Sequence, residues 1–482
     1  MYGVTVTLFC LFHDVELVSI FLVLKFAHYL CDFYFNKAFA SVTVAGRRRR
    51  SKIDMDLKSR EDPIVTKLDS SEFKSLFTKE VMDLKSLFDK YQYEIRIAGG
   101  AVRDLLMGQQ PKDLDFATTA TPQQMKDMFT EESVRMINMA GEKHGTITPR
   151  INDKENFEVT TLRIDMVTDG RHAEVEFTTD WKLDANRRDL TINSMFLGFD
   201  GSVYDYFFGY DDLQKRRVAF VGDADVRIKE DYLRILRYFR FYGRIASAPD
   251  NHEEETLTVI ANNVGGLQNV SGERIWMELK KTLQGNFAFE LLKTMLKAGV
   301  GNYIGLPSKP NIEELNKLQQ RSGHLGLHPM SYLAALLRDM DEVTVLHSRL
   351  KFSSFDKDLA YYLVEHRGDK VAERPLMPYE KLVINASMKK DIAVEYVREV
   401  LKYRGDEKLL DQFNSWEMPK FPIGGKELKD NGVPPGKMYG KIIARLREMW
   451  IENEYKQTSS DLVKLIPIVL EEFENLKIKK DK

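Results

Sequence analysis

Residues 95–120, IRIAGGAVRDLLMGQQPKDLDFATTA, constrain this chain more than any other stretch. They read as the end of an apolar strand, a turn at Gly99 and Gly100, a short helix carrying Arg103 and Asp104, and then Asp113-Leu114-Asp115 in a second strand. Residues two apart on a strand share a face, so the carboxylates of Asp113 and Asp115 are expected to converge while Leu114 and Phe116 face the core. Convergent carboxylates suit a hard divalent cation, Mg²⁺ above all. A glycine pair ahead of a helix lets the backbone approach a phosphate, whose charge can be met by N–H groups and by Arg103. Together these parts point to a nucleoside triphosphate held by metal and a tight turn.

Taken singly, each part has a plainer reading. Gly-Gly before a helix is usually only a turn, and Asp-x-Asp is usually a solvated strand edge. Their combination, with twelve residues between Gly100 and Asp113, is far more specific. The order Gly-Gly, spacer, Asp-apolar-Asp resembles the nucleotidyltransferase signature of the DNA polymerase β superfamily. No Gly-x-x-x-x-Gly-Lys-Ser/Thr run occurs, which argues against a P-loop ATPase or kinase.

A chain of 482 residues exceeds one ordinary core and implies two to four domains, and 43% hydrophobic with 30% charged residues is the composition of soluble globular proteins. The formal net charge of −2 carries no global sign of nucleic-acid binding, so any RNA contact must come from local clusters of basic residues. Both cysteines, Cys10 and Cys31, lie near the start, so the remaining chain has neither a disulfide nor a thiolate zinc site.

Within an extension of residues 1–54, residues 1–46 differ from everything after them, with apolar and aromatic runs interrupted by His13, Asp14 and Glu16, and Arg47 to Arg50 follow. The runs are short for a membrane span, and only the arginine-rich end fits a presequence. The segment is read as an organelle-targeting extension or as a start-site artefact with Met55 as the first residue. No stable membrane association is expected. From Ser70, apolar residues at helical spacing predict one helix running to Tyr91. Segments 145–151, 157–164, 174–178 and 194–199 read as strands, giving a small mixed sheet of about five strands that closes near residue 205.

Within that sheet Glu158 is a candidate third carboxylate, or else a solvated strand residue. Residues 168–172 read as a loop whose Arg171 either acts on a triphosphate or only solubilises the turn. Arg187-Arg188-Asp189 and Asn193 place two cations, an acid and an amide around an apolar run, and a triphosphate needs more forked donors than Arg103 supplies. Residues 205–221 are a turn-rich connector into the helical remainder and a candidate hinge. After them, 230–244 reads as one helix with Asp231, Arg234 and Arg237 on a shared face. The remainder is helical, with glycine and lysine at helix starts near 424–426 and 435–441 that can seat RNA phosphates or serve as plain caps.

The motifs AGGAVRD with DLDFATTATP, RRDLTINSMF and EDYLRILRYFRFYGRI resemble the class II tRNA nucleotidyltransferases, the CCA-adding enzymes, most closely those of animals. The likeness covers about residues 65–450 and is densest over 95–285. It implies an α+β fold, a small mixed β-sheet catalytic head followed by an all-helical neck, body and tail. The expected boundaries are 1–54 extension, 65–205 head, 206–270 neck, 271–370 body and 371–482 tRNA-binding tail. It implies tRNA as partner, CTP and ATP as substrates, two Mg²⁺ ions on Asp113 and Asp115, and a mitochondrial and cytoplasmic location, with the nucleus a third compartment. Gly99, Gly100, Arg103, Arg187, Arg188, Asp189, Asn193 and Arg237 would bind nucleotide, and Asp231 and Arg234 would read the base.

Cytosine and adenine both offer an amine donor beside a ring-nitrogen acceptor. A carboxylate only accepts and a guanidinium only donates, so this pair suits C and A and opposes G and U. Two alternatives stand beside this reading: a poly(A) polymerase with a similar head, and a catalytically silent RNA-binding protein. The intact Asp113 and Asp115 argue against the second.

Overall fold

The hydrophobic pattern resolves into a β-sheet region followed by helices, as seen in a computed structural model that describes residues 58–137, 139–167, 174–369, 373–433 and 436–480. Residues 1–63 form a unit of their own, of which only 58–63 are described, and 64–482 form a second. The extension 1–54 and Arg171 lie outside the described residues.

The strands are β1 Ile64–Lys67, β2 Ile95–Ala98, β3 Asp115–Thr118, β4 Arg135–Ile137, β5 Thr146–Ile151, β6 Glu155–Asn156, β7 Glu158–Thr161, β8 Arg163–Val167, β9 Glu174–Phe177, β10 Phe196–Leu197 and β11 Ser202–Tyr204. The main sheet runs β1-β11-β10-β2-β3-β7-β5-β4, with β6 on β5, while β8 and β9 pair apart. Among the described strands only β3 and β7 pair in parallel, with Asp115 opposite Glu158. The sheet is therefore larger than the five strands expected. Segment 157–164 breaks at Leu162 into β7 and β8, and the hairpin of β10 and β11 is too short to show a period of two.

The alternation of β2 and β3 assigns the two faces. Ile95, Ile97 and Phe116 enter the main core together with Leu84 and Phe88 of the helix Lys79–Lys90. Burying a side chain such as Phe116 contributes roughly 1.5–3 kcal/mol. The opposite face is small at Ala98 and Ala117, and packs with Trp181 and Ala185 of the helix Trp181–Arg187. Arg96 lies between the rings of Trp181 and Tyr204, 4.1 and 3.6 Å from their centroids, which stabilises a cation buried in the sheet.

Two predicted helices are broken by side-chain caps. The helix expected over 70–91 stops at Lys74 and restarts at Lys79, because Thr78 accepts from the amide of Val81 at 3.2 Å and caps the second segment. Likewise 230–244 is not one helix. Ala224–Glu230 ends at Asp231, whose Oδ1 accepts from the amide of Leu233 at 3.1 Å, and Arg234–Ile245 begins anew.

The helical remainder shares the main core through Leu279, Leu333, Leu346 and Val397 among others. A second core, built from Leu428, Ile442, Leu446, Trp450, Leu462 and Ile466, unites the helices Gly425–Asp430, Lys437–Glu452 and Ser459–Lys480. Among the described residues no helix is long and apolar enough to cross a membrane.

Candidate active site

A cleft of about 1220 Å³ lies against the small face of the sheet, with Ala98, Ala117 and Thr160 on its floor. It gathers Gly99, Gly100, Arg103, Asp113, Asp115, Glu158, Arg187, Arg188, Asp189, Asn193, Asp231, Arg234 and Arg237, so every described residue expected to hold metal or nucleotide lines one space, while the glycines and lysines near 424–426 and 436–441 do not.

Asp115 opens β3 and Asp113 sits in the bend before it, rather than within the strand. The Asp115 carboxyl is pushed above the ordinary carboxylate range, first by loss of water in the cleft and then by the charges of Glu158 and Asp113, with Arg188 pulling the other way. Crowded carboxylates of this kind are a donor set that a hard divalent cation would relieve. Among the described residues no three His, Cys, Asp or Glu side chains are gathered closely enough to cage an ion, so Glu158, the candidate third carboxylate, is not preassembled with Asp113 and Asp115 into a cage.

Gly99 has φ +66°, a conformation that favours glycine, and a Cβ there would press to 3.0 Å from Nη1 of Arg188. From this turn the helix Gly100–Leu106 projects Arg103, which is only 3% exposed. Its Nε and Nη2 donate to Oδ1 of Asp104 at 3.0 and 2.8 Å, and its Nη1 donates to Oδ1 of Asn193 at 2.5 Å. Arg103, which the sequence offered as a donor to phosphate, is thus fixed by three hydrogen bonds to Asp104 and Asn193.

Arg187 and Arg188 share one buried carboxylate. Asp184, a helical turn earlier, accepts from Nε of Arg187 at 2.9 Å on one oxygen and from Nη2 of Arg188 at 3.1 Å on the other. Burial pushes the Asp184 carboxyl up, but the two guanidinia outweigh it and hold it below the ordinary range. Arg163 also lines the cleft, and burial beside Arg187 lowers its guanidinium to about 10. Asp189 accepts from Nε of Arg237 at 2.6 Å and from Nδ2 of Asn193 at 3.4 Å.

Asp231 and Arg234 sit on either side of the helix break, in one turn closed by the bond from the Arg234 amide to the Asp231 carbonyl at 2.9 Å. Their proximity comes from this turn and not from a common helix face. Oδ2 of Asp231 accepts from Nη2 of Arg274 at 2.8 Å. Arg234 donates through Nη1 to Glu230 at 2.7 Å and through Nη2 to the carbonyl of Arg187 at 3.1 Å. The segment read as a candidate hinge is tied as well: buried Asp205 accepts from the amides of Phe207, Gly209 and Tyr210.

Two family models match the chain, a "Poly A polymerase head domain" over residues 95–219 and a "Probable RNA and SrmB- binding site of polymerase A" over residues 252–308. The chain is 52% identical over 404 residues to the CCA tRNA nucleotidyltransferase 1, mitochondrial, of Danio rerio, which covers 83% of this chain and 93% of that one. The protein of the same name from Homo sapiens is 50% identical over 404 residues, covering 83% and 92%. The chain belongs to the class II CCA-adding tRNA nucleotidyltransferases. Its fold agrees: the crystal structure of the Bacillus stearothermophilus CCA-adding enzyme in complex with CTP matches with a TM-score of 0.65 at 25% identity, covering 86% of this chain and 100% of that one. The Thermotoga maritima CCA-adding enzyme complexed with tRNA shares the fold with a TM-score of 0.60 at 18% identity, covering 84% and 99%.

In this CCA-adding enzyme several residues of the site went unassigned in the sequence. Asp184 could have been found, since it stands three and four residues before the two arginines, the helical spacing for ion pairs. Arg274 and Arg244, which also line the cleft, reach it from later helices and left no local signal.

Proposed function

We propose that this chain adds C, C and A in turn to the 3′ end of tRNA, using CTP and ATP and releasing pyrophosphate at each step. The observation that carries the reading is the meeting, in one cleft, of the Asp113 and Asp115 carboxylates, the Gly99 turn, the paired arginines and the Asp231–Arg234 turn. The names of the vertebrate relatives, and the CTP complex of the Bacillus stearothermophilus enzyme, support the same substrates.

In this reading the tRNA 3′-hydroxyl gives its proton to water, its oxygen bonds to the α-phosphorus, the bond from that phosphorus to the bridging oxygen breaks, and pyrophosphate leaves. No protein nucleophile is needed, so positioning and electrostatics carry the rate. Asp113 and Asp115 would hold two Mg²⁺ ions, which when bound lower the pKa of the attacking hydroxyl and neutralise the leaving group. Arg187 and Arg188, fixed by Asp184, present guanidinia to the triphosphate, and amides of the Gly99 turn face its phosphates. In this reading Asn193 and Asp189 hold the ribose. Asp231 accepts from the exocyclic amine of C or A, and Arg234 donates to the ring nitrogen beside it.

We further read 65–205 as head, 206–270 as neck, 271–370 as body and 371–482 as the tRNA-binding tail. The mitochondrial names of the vertebrate relatives support a mitochondrial location, with cytoplasm and nucleus as additional compartments to be tested by imaging. The test of the activity is to offer the protein tRNAs ending before, within and after CCA with each nucleotide separately, and to sequence the products. Addition that stops at CCA supports the reading. An indefinite A tail would replace it with poly(A) synthesis, and no addition would leave RNA binding alone.

A further inference from the structure

The helix Arg234–Ile245 carries Arg237 and Arg244 seven residues apart, hence on one face and about 10 Å apart along the axis. Each reaches into the sheet region, and the contacts between their targets close a ring. Nη2 of Arg244 donates to Oδ2 of Asp104 at 2.7 Å. The other oxygen of Asp104 holds Arg103, and Arg103 reaches Asn193. Asn193 donates to Asp189, and Asp189 accepts from Arg237, back on the helix. The Phe241 side chain, 6% exposed, packs against this ring of bonds, with the guanidinium carbons of Arg103, Arg237 and Arg240 at 4.9, 5.5 and 4.3 Å from its centroid. Arg240 in turn donates to Glu278 of the helix Gly272–Leu283 at 3.1 Å.

We infer that this ring is a clasp, and that Asp104 and Arg244 are positioning residues for the reaction, an inference that rests on the function proposed above. One end of the clasped helix carries the turn proposed to read the base. The other end is tied, through Asp104, to the helix that springs from the Gly99 turn. The clasp fixes the separation between base edge and phosphates, so a nucleotide seated correctly at both ends has its α-phosphorus over Asp113 and Asp115. A nucleotide that fits at one end only is misaligned for attack. The ring therefore converts base recognition into rate, because a small displacement of reacting atoms is costly in a reaction run by positioning.

The bonds within the ring are charge-assisted, and they lie in a partly dry cleft where such bonds are strong. Arg244 is the link that can be opened with least harm, since its side chain is 44% exposed while Asp104 is 9% exposed.

The experiment measures kcat and KM for CTP, ATP and UTP with full-length protein and a tRNA lacking CCA, comparing wild type with Arg244→Gln, Arg244→Lys and Asp104→Asn. Thermal melts accompany each variant. Arg244→Gln is expected to lower kcat for CTP and ATP by about tenfold, with KM changed by no more than about twofold. UTP, already misaligned, loses much less, so the preference for CTP over UTP narrows. Arg244→Lys, which can still pair with Asp104, recovers most of the loss. A fall by one common factor for all nucleotides, or a lysine variant no better than glutamine, would overturn the clasp even if Asp104→Asn fails to fold. A wild type that adds nothing overturns the proposed function and the clasp with it, whereas an active wild type beside variants of unchanged selectivity overturns the clasp alone.

Discussion

Asp115 and Glu158 stand opposite one another at the start of the two strands that pair in parallel, β3 and β7. The pairing brings two segments of distant sequence to the same end of the sheet, where loss of water lifts the Asp115 carboxyl and the charge of Glu158 lifts it further. Carboxylates held this way are costly to leave uncompensated, and the compensation expected is a cation.

Asp113→Asn and Asp115→Asn should each abolish incorporation of CTP and ATP in parallel, by about a thousandfold or more, which is roughly 4 kcal/mol of transition-state stabilisation. Binding of tRNA, read by filter retention, should stay near wild type. Glu158→Gln should cost less, since no three-carboxylate cage is preassembled among the described residues. Robust turnover by either aspartate variant with Mg²⁺ would remove the metal assignment.

Asp184→Asn should destabilise the fold by about 3–5 kcal/mol, because it leaves two guanidinia without the buried carboxylate that both share. Urea unfolding gives the loss, and the KM for nucleotide should rise in parallel as Arg187 and Arg188 lose their fixed orientation. A variant as stable as wild type would show that the arginines are paired elsewhere.

Replacing Asp231 and Arg234 together with alanine should raise the use of UTP and GTP relative to CTP and ATP, as measured by single-nucleotide incorporation. Each mismatched buried group costs about 1–3 kcal/mol, so the wild-type preference has two such penalties to lose. Arg274→Ala should shift selectivity in the same direction but less, since it acts on the base through Asp231. Unchanged selectivity at measurable activity would place base reading elsewhere.

The stability of the fold should fall between neutral pH and pH 4. His252, stacked 3.7 Å from Tyr242, is lowered to about 4 by burial, and His328 is lowered to about 4 by burial despite Asp356. A group whose folded pKa lies below its unfolded value is protonated first in the unfolded chain. Its contribution is therefore complete above pH ~6.5 and lost as pH drops toward 4. Each ring is partly wet, so about 1–2 kcal/mol per histidine is expected. Chemical unfolding at pH 7 and 5 checks this, and His252→Phe should shrink the difference while keeping the stack.

The parts of the site that could be read from the sequence are those encoded locally. The Gly99 turn, the Asp113–Asp115 spacing and the Arg187-Arg188-Asp189 run are each complete within a few residues, and the cleft contains all of them. The break at Asp231 was hidden because an apolar period continues through it. What ends the helix is a carboxylate turning back on the amide of Leu233, which periodicity does not register. The bond between Arg244 and Asp104 spans 140 residues, a separation at which a single sequence holds no pairing signal. Strand number was underestimated for a related reason: β10 is two residues long and owes its place to its partners β2 and β11.

The floor of the cleft is made of side chains that stop short. Ala98 and Ala117 are central in the sheet, where valine or isoleucine would favour the strand more, so the backbone there tolerates a residue second best for its own stability. What those positions store is volume. Drift toward a branched side chain would strengthen the sheet and fill the space above it, so function and folding pull on these two methyl groups in opposite directions, and the chain keeps its opening by leaving the stronger strand unbuilt.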